Sequence, residues 1–244
     1  MIKAVLFDLD GTLLPMEEEK FLKSYLSLLS KHVEAKGYDS NKLIGAIWQS
    51  FDKAVHNDGK KSNEDVFWDS FASILGSRVL DDRDAFDVFY TGEFNKAQPS
   101  CGFDPRANKT IKDLKRAGLD VILATNPVFP RAATLNRARW AGLDKEDFLL
   151  ITTYEESHFC KPNVKYYEEI LSKCDLRPEE CIMIGNDAEE DMVARDVGLS
   201  VFLLTDCLIN RKNVDINEFP HGSYDEMWKF LYDKLDGRFS IKGE

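Results

Sequence analysis

Cysteine is sparse in this chain and shows no pattern. Cys101, Cys160, Cys174, Cys181 and Cys207 are odd in number and form no C-x-x-C pair. That excludes a disulfide framework and a zinc knuckle, and it matches a reducing compartment. His158 and Cys160 resemble a metal pair, but two ligands without further partners read as incidental. Basic charge is also short: 32 Lys and Arg face 43 Asp and Glu, a net charge of −11. A nucleic acid or an anionic membrane surface is therefore not expected as partner, which leaves room only for a local basic pocket for a small anion. No apolar run reaches membrane-spanning length. The N-terminal run Ile2–Phe7 stops at Asp8, too short for a signal peptide, so a cytoplasmic protein is expected. Internal repeats and low-complexity tracts are lacking. What is present, 43% hydrophobic and 31% charged residues over 244 positions, describes a soluble globular protein. The length suits one large domain or a domain with an inserted module.

Five short apolar runs end in polar residues. Ile2–Phe7 ends in Asp8-Leu9-Asp10-Gly11-Thr12, and Asp120–Ala124 ends in Thr125-Asn126. Phe148–Ile151 is followed by Thr152-Thr153, Cys181–Ile184 by Gly185-Asn186-Asp187, and Ser200–Leu204 by Thr205-Asp206. Such runs read as buried parallel strands. Helical segments are expected between them at Ala107–Ala117, Arg131–Ala141, Val164–Cys174 and Glu189–Val197. Gly118, Gly142 and Gly198 follow three of these segments, where a left-handed residue ends a helix. The alternation predicts an α/β fold with a doubly wound parallel sheet.

Residues 16–98 break the alternation. They hold no β-run but carry apolar stripes at spacings of three and four, such as Phe21, Leu22, Tyr25, Leu26 and Leu29. An all-helical module is expected there, inserted after the first strand, with hinges near Pro15 and Pro99. The α/β core would comprise residues 1–15 and 99–244. Residues 207–222 read as a loop, before a final amphipathic helix through Met227, Trp228, Phe230, Leu231 and Leu235. Within the insert, the polar segment Asn57–Asn63 joins two helical stripes. It reads as a solvated turn, with the alternative that Lys60 or Lys61 reaches down to an anionic substrate.

Open α/β sheets bind ligands outside the carboxyl ends of their strands, which places Asp8 where a ligand sits. Asp10 lies two residues on, and Gly11 permits a sharp turn. Two crowded carboxylates repel, and a divalent cation with hard oxygen ligands, Mg²⁺ above all, would neutralise them. Thr125-Asn126 supplies a hydroxyl and an amide suited to a tetrahedral anion. Lys161-Pro162 supplies a cation to offset gathered negative charge. Gly185-Asn186-Asp187, with Asp191 beyond it, returns carboxylates to the same edge. Taken singly, each cluster reads equally as a capped turn or a helix N-terminus.

The ordered set Asp-x-Asp-Gly-Thr, Thr-Asn, Lys-Pro and Gly-Asn-Asp-x-x-x-Asp resembles the haloacid dehalogenase-like hydrolase superfamily over the whole chain, with residues 16–98 where that family places a helical cap. The resemblance implies a Mg²⁺-dependent phosphatase of a small phosphorylated metabolite. In that reading Asp8 is the nucleophile that forms an aspartyl-phosphate, and Asp10 is the general acid and base. Thr125, Asn126 and Lys161 bind the phosphoryl group; Asp8, the Asp10 backbone carbonyl and Asp187 hold the metal. Many members place the acidic ligand directly after the glycine, where this chain has Asn186, so Asp187 takes that role here. Asn186 then contributes in a minor way through its side-chain oxygen, and Asp191 orients Lys161 or a metal-bound water. Negative charge nearby is expected to raise the Asp10 pKa toward neutrality. The dehalogenase branch lacks the second acid that Asp10 supplies. A phosphomutase shares all four motifs, and a non-catalytic phospholigand-binding protein would be expected to have lost Asp8, Asp10 or Lys161.

Overall fold

A computed structural model describes residues 1–238. Six parallel strands form one sheet: β1 (Ala4–Phe7), β2 (Asp120–Leu123), β3 (Leu150–Ile151), β4 (Cys181–Gly185), β5 (Ser200–Leu204) and β6 (His221–Gly222). Their spatial order is β3-β2-β1-β4-β5-β6, so β1 is flanked by β2 and β4. Ala4 is in register with Asp120 on one side and Cys181 on the other. The order reverses at β1, and the crevice at such a reversal is where ligands bind in this architecture.

Burial explains the unbroken apolar runs. All four residues of β1 and all five of β4 are buried, because helices cover both faces of the sheet. The pleat sends Val5, Phe7, Val121, Leu123, Ile182 and Ile184 to one face, and Ala4, Leu6, Ile122, Met183 and Leu203 to the other. The second face packs against Tyr166, Tyr167, Ile170 and Leu171 of the helix Val164–Cys174. The helices Pro105–Arg116 and Tyr224–Lys234 cover the first face.

Between β1 and the helix Pro105–Arg116 lie four α-helices: α1 (Glu18–Val33), α2 (Ser40–Val55), α3 (Asn63–Leu75) and α4 (Arg83–Thr91), followed by a 3₁₀ stretch over Glu93–Ser100. Their stripes meet as an aromatic cluster that includes the Phe67–Phe71 and Phe21–Tyr25 stacks. This cluster does not close on itself. Phe21, Tyr25, Phe51 and Phe89 belong to the same contiguous apolar body as Val5, Phe7 and Leu123 of the sheet. The two chain crossings into the helical segment run side by side: Met16 bridges Cys101, and the Gly102 N–H donates to the Pro15 carbonyl at 2.7 Å.

The later helices are α5 (Pro105–Arg116), α6 (Arg131–Trp140), α7 (Val164–Cys174), α8 (Ala194–Val197) and α9 (Tyr224–Lys234). Gly118, Gly142 and Gly198 all adopt positive φ, as expected after helix ends. Two elements differ from the sequence reading. Residues 207–222 are not loop throughout, since His221–Gly222 adds a sixth strand on β5. The expected helix Glu189–Val197 shrinks to its last turn, Ala194–Val197. The Asp187 carboxylate accepts from the Glu189 and Glu190 N–H groups, and the Asp191 carboxylate accepts from the Asp187 N–H. Side chains thus take over backbone donors and hold residues 188–193 in consecutive turns.

Candidate active site

The carboxyl ends of β1, β2 and β4 open onto a cavity of about 170 Å³, lined by Asp8, Asp10, Thr125, Asn126, Asn186, Asp187 and Asp191 among others. Of the residues read from the sequence, Lys161 lies directly behind this lining. Its ammonium donates to Asp8 at 2.8 Å and to Asp191 at 2.6 Å, and its side chain is 1% exposed. Burial works against the lysine charge, but Asp191 and Asp8 outweigh it and hold the ammonium well above its ordinary pKa. Lys161 is therefore a fixed cation at the site.

Two glycines make the geometry possible. A Cβ at Gly11, where φ is +88°, would stand 2.3 Å from Nδ2 of Asn186. A Cβ at Gly185 would stand 2.0 Å from the Asp191 carboxylate. Glycine at 11 lets the β1 loop come this close to the β4 loop, and glycine at 185 lets the β4 loop fold back on its own Asp191. Asn186 exploits the approach: its Oδ1 accepts from the Thr12 hydroxyl at 2.9 Å, and its Nδ2 donates to the Cys207 carbonyl at 2.8 Å. Asn186 thus ties three loops together.

Thr125 and Asn126 follow β2. The Thr125 carbonyl is fixed by the Thr152 hydroxyl at 2.6 Å and the Tyr166 hydroxyl at 2.9 Å. The Asn126 amide donates to Glu190 at 2.9 Å. Burial pushes the Glu190 carboxyl up to about 7, with Asp187 and Asp191 adding to the effect and Lys161 opposing it. Asp10 is pushed up to about 6, chiefly by burial, with Asp8 adding and Arg137 opposing. The expected direction holds, while its main cause is desolvation rather than neighbouring charge.

The donor set fits a hard divalent cation. Asp8, Asp10, Asp187, Glu190 and Asp191 crowd one cavity. Asp10 Oδ1 and Asn126 Oδ1 are buried oxygens without a hydrogen-bond donor. Among the described residues only one Asp8 oxygen is taken, by Lys161. No three or more His, Cys, Asp or Glu side chains form a ready cage among the described residues. Mg²⁺ needs none, because it keeps several waters and uses one or two carboxylates. Asp187 gives one oxygen to the backbone of Glu189 and Glu190 and lies 3.3 Å from Arg211 with the other.

A family model described as haloacid dehalogenase-like hydrolase matches residues 2–198. The chain belongs to this family. Among curated relatives, this hydrolase is 27% identical over 212 residues to a ribulose-1,5-bisphosphate 5-phosphatase of Halopiger xanaduensis, covering 83% of this chain and 84% of the relative. It is 29% identical over 105 residues to a glyceraldehyde 3-phosphate phosphatase of Methanothermobacter thermautotrophicus, covering 41% and 43%. Among solved structures, a HAD phosphatase from Thermococcus onnurineus superposes with a TM-score of 0.61 at 19% identity, covering 94% of this chain and 98% of the other. A 2-haloacid dehalogenase from Pseudomonas syringae gives a TM-score of 0.64 at 15% identity, covering 98% and 100%. At these identities the structural likeness concerns the fold.

Several site residues of the hydrolase escaped the sequence reading. Arg137 on α6 is 1% exposed and ion-paired with Asp10. Its one sequence signal is a cation on a helix face shared with Ala133, Trp140 and Ala141, all buried. Glu190 and Arg211 also line the cavity. Lys60 and Lys61 do not line it: they pair with Asp58 and Asp69, both at 2.6 Å, on the exposed surface. The solvated-turn reading of that segment is the one the geometry favours. The segment instead reaches its neighbours through buried Asn63, whose amide donates to the Pro127 and Phe159 carbonyls.

Proposed function

We propose that the chain is a Mg²⁺-dependent phosphomonoester hydrolase of a small phosphorylated metabolite, working through an aspartyl-phosphate on Asp8. One observation carries this reading: Asp8 and Asp10 line one cavity, and buried Lys161 donates to Asp8 from behind it. The relatives named as phosphatases support it. Asp8 and Asp187 with the Asp10 carbonyl would hold the metal, which supplies screening of the charge that accumulates as an anion meets an anion.

The chain's own groups divide the remaining work. An Asp8 oxygen attacks phosphorus, and the bond from phosphorus to the ester oxygen breaks. Asp10 gives its proton to the departing alkoxide, so an alcohol leaves. Thr125, Asn126 and Lys161 hold the three non-bridging oxygens, where positioning and charge matter most. Asp10, now a carboxylate, takes a proton from water as the water oxygen attacks phosphorus, and Asp8 and inorganic phosphate are released. Asp191 keeps Lys161 in place.

Residues 16–98 form, in this proposal, a cap over the site, joined to the core (1–15 and 99–244) by the paired crossings at Pro15–Met16 and Cys101–Gly102. Phe21, Leu22 and Met16 bring an apolar wall from that side to the cavity. No helix of the described residues is long and apolar enough to cross a membrane. Phosphate release from a panel of phosphorylated metabolites, with and without Mg²⁺, tests the proposal. Full activity after exhaustive chelation would reject the metal-dependent mechanism. Transfer of the phosphoryl group within the substrate, without release, would instead identify a phosphomutase.

A further inference from the structure

Resting on that phosphatase reading, we propose that Arg137 anchors a second anionic group on the leaving part of the substrate, so that the preferred substrates carry a carboxylate or another phosphate near the scissile ester. The case begins with an imbalance of charge. Five carboxylates from the sheet edge, and Glu18 from α1, line a cavity meant for an anion. Lys161 is committed to Asp8 and Asp191 and the metal to the transferring phosphoryl group, so neither serves the rest of the substrate. Two cations remain in the lining, Arg137 and Arg211.

They differ in kind. Arg211 has a side chain 56% exposed and is already paired with Glu18 and Asp187. Arg137 is 1% exposed and, among the described residues, pairs with Asp10 alone. A guanidinium has five N–H donors in a fixed fork. Here Nη1 goes to Asp10, Nη2 reaches the Thr134 hydroxyl only at 3.5 Å, and Nε is buried with no partner. Burying a guanidinium with unused donors is costly unless something else takes them up.

The surroundings fit a ligand rather than a second carboxylate of the chain. The guanidinium carbon lies over the Phe129 ring, 4.4 Å from its centroid, a contact that holds the cation in place and takes up none of its N–H donors. Phe21 lies 5.9 Å from the same guanidinium, and Leu22 and Val128 are further apolar residues of the lining. A planar fork beside apolar side chains is suited to bidentate capture of a carboxylate or phosphate. Arg137 pairs with Asp10, the proton donor to the leaving oxygen, so an anion it captures sits close to the ester.

Equilibrium binding tests this without depending on turnover. Calorimetry with Mg²⁺ present would compare ethylphosphonate, which has one anionic group, with phosphonoacetate and with ethane-1,2-diyl bisphosphonate, which have two. The wild-type chain should bind at least one of the two-anion probes on the order of 10²-fold more tightly than ethylphosphonate. Which of the two is preferred tells carboxylate from phosphate. Arg137→Met should abolish that preference, and Arg137→Lys, which keeps the charge but loses the fork, should retain only part of it. Circular dichroism and retained ethylphosphonate binding would establish that each variant is folded. Equal binding of all three probes by the wild type would overturn the proposal. So would a preference that survives in folded Arg137→Met, because Arg137 would then only position Asp10. Preference for the two-anion probes without phosphate release from any ester would reject the phosphatase reading and leave the anchor standing.

Discussion

Lys161 and Asp191 form an ion pair at 2.6 Å in which each side chain is 1% exposed. Such a pair is poor at adding net stability, but breaking it from one side leaves an uncompensated buried charge. Lys161→Met should therefore cost about 3–5 kcal/mol, readable as a lowered denaturant midpoint. Lys161→Met combined with Asp191→Leu should recover part of that loss while remaining inactive. Additive losses in the double variant would show that the two residues do not act as a pair.

Asp8→Asn should abolish phosphate release, by about 10³-fold or more, with an unchanged circular dichroism spectrum. Asp10→Asn should lower turnover about 10²–10⁴-fold through lost proton transfer. With an aryl phosphate, whose leaving group needs no proton, the Asp10→Asn chain should form the aspartyl-phosphate and stall there. Rapid-quench trapping of labelled phosphoprotein would reveal it. Wild-type steady-state rates in Asp8→Asn would remove Asp8 as nucleophile.

The metal-free fold should lose stability as pH rises from about 5 to 8. Glu190 and Asp10 both have folded pKa values raised above their ordinary ones, to about 7 and about 6. In that window the folded chain binds more protons than the unfolded chain, so ΔG of unfolding falls with increasing pH. The contribution is complete below the ordinary carboxyl values and is lost as pH passes the raised ones. Mg²⁺ should flatten the slope by favouring the ionised carboxylates. Melting temperatures measured across this range with chelator and with Mg²⁺ would check both statements, and a midpoint that climbs with pH in chelator would contradict the first.

Much of this arrangement was legible in the amino-acid order. Runs such as Cys181–Ile184, buried on both faces, leave an unmistakable apolar signature, and the polar residues after them mark the sheet edge. The helix Val164–Cys174 was readable to the residue from its apolar stripe, and in the structure Asn163 caps its start. Other features depend on contacts that local pattern does not record. The two-residue strand His221–Gly222 has no period of its own and exists because β5 offers an open edge. Residues 188–193 score as helix by composition, yet Asp187 and Asp191 divert their donors. Arg137 stands on a helix whose polar residues, Arg131, Asn136 and Arg139, conceal which cation is buried. The aromatic stripes of 16–98 were seen, but not that they merge with the sheet's own core through Phe21 and Tyr25.

The strand bearing Asp8 is the earliest part of the sheet to be synthesised, and it ends up in the interior of the strand order. Its two flanking strands are encoded far downstream, at Asp120 and Cys181. At translation rates of about 5–20 residues per second, β1 waits on the order of 10 s for its second neighbour. Helices α1–α4 pack on one another and on Phe129, all synthesised before Cys181, and can assemble in that interval. A nascent chain arrested before Cys181 should thus show protease-resistant helices and a cleavable segment around Phe7–Leu9, and protection of both together would mean that β1 has found a shelter other than β4.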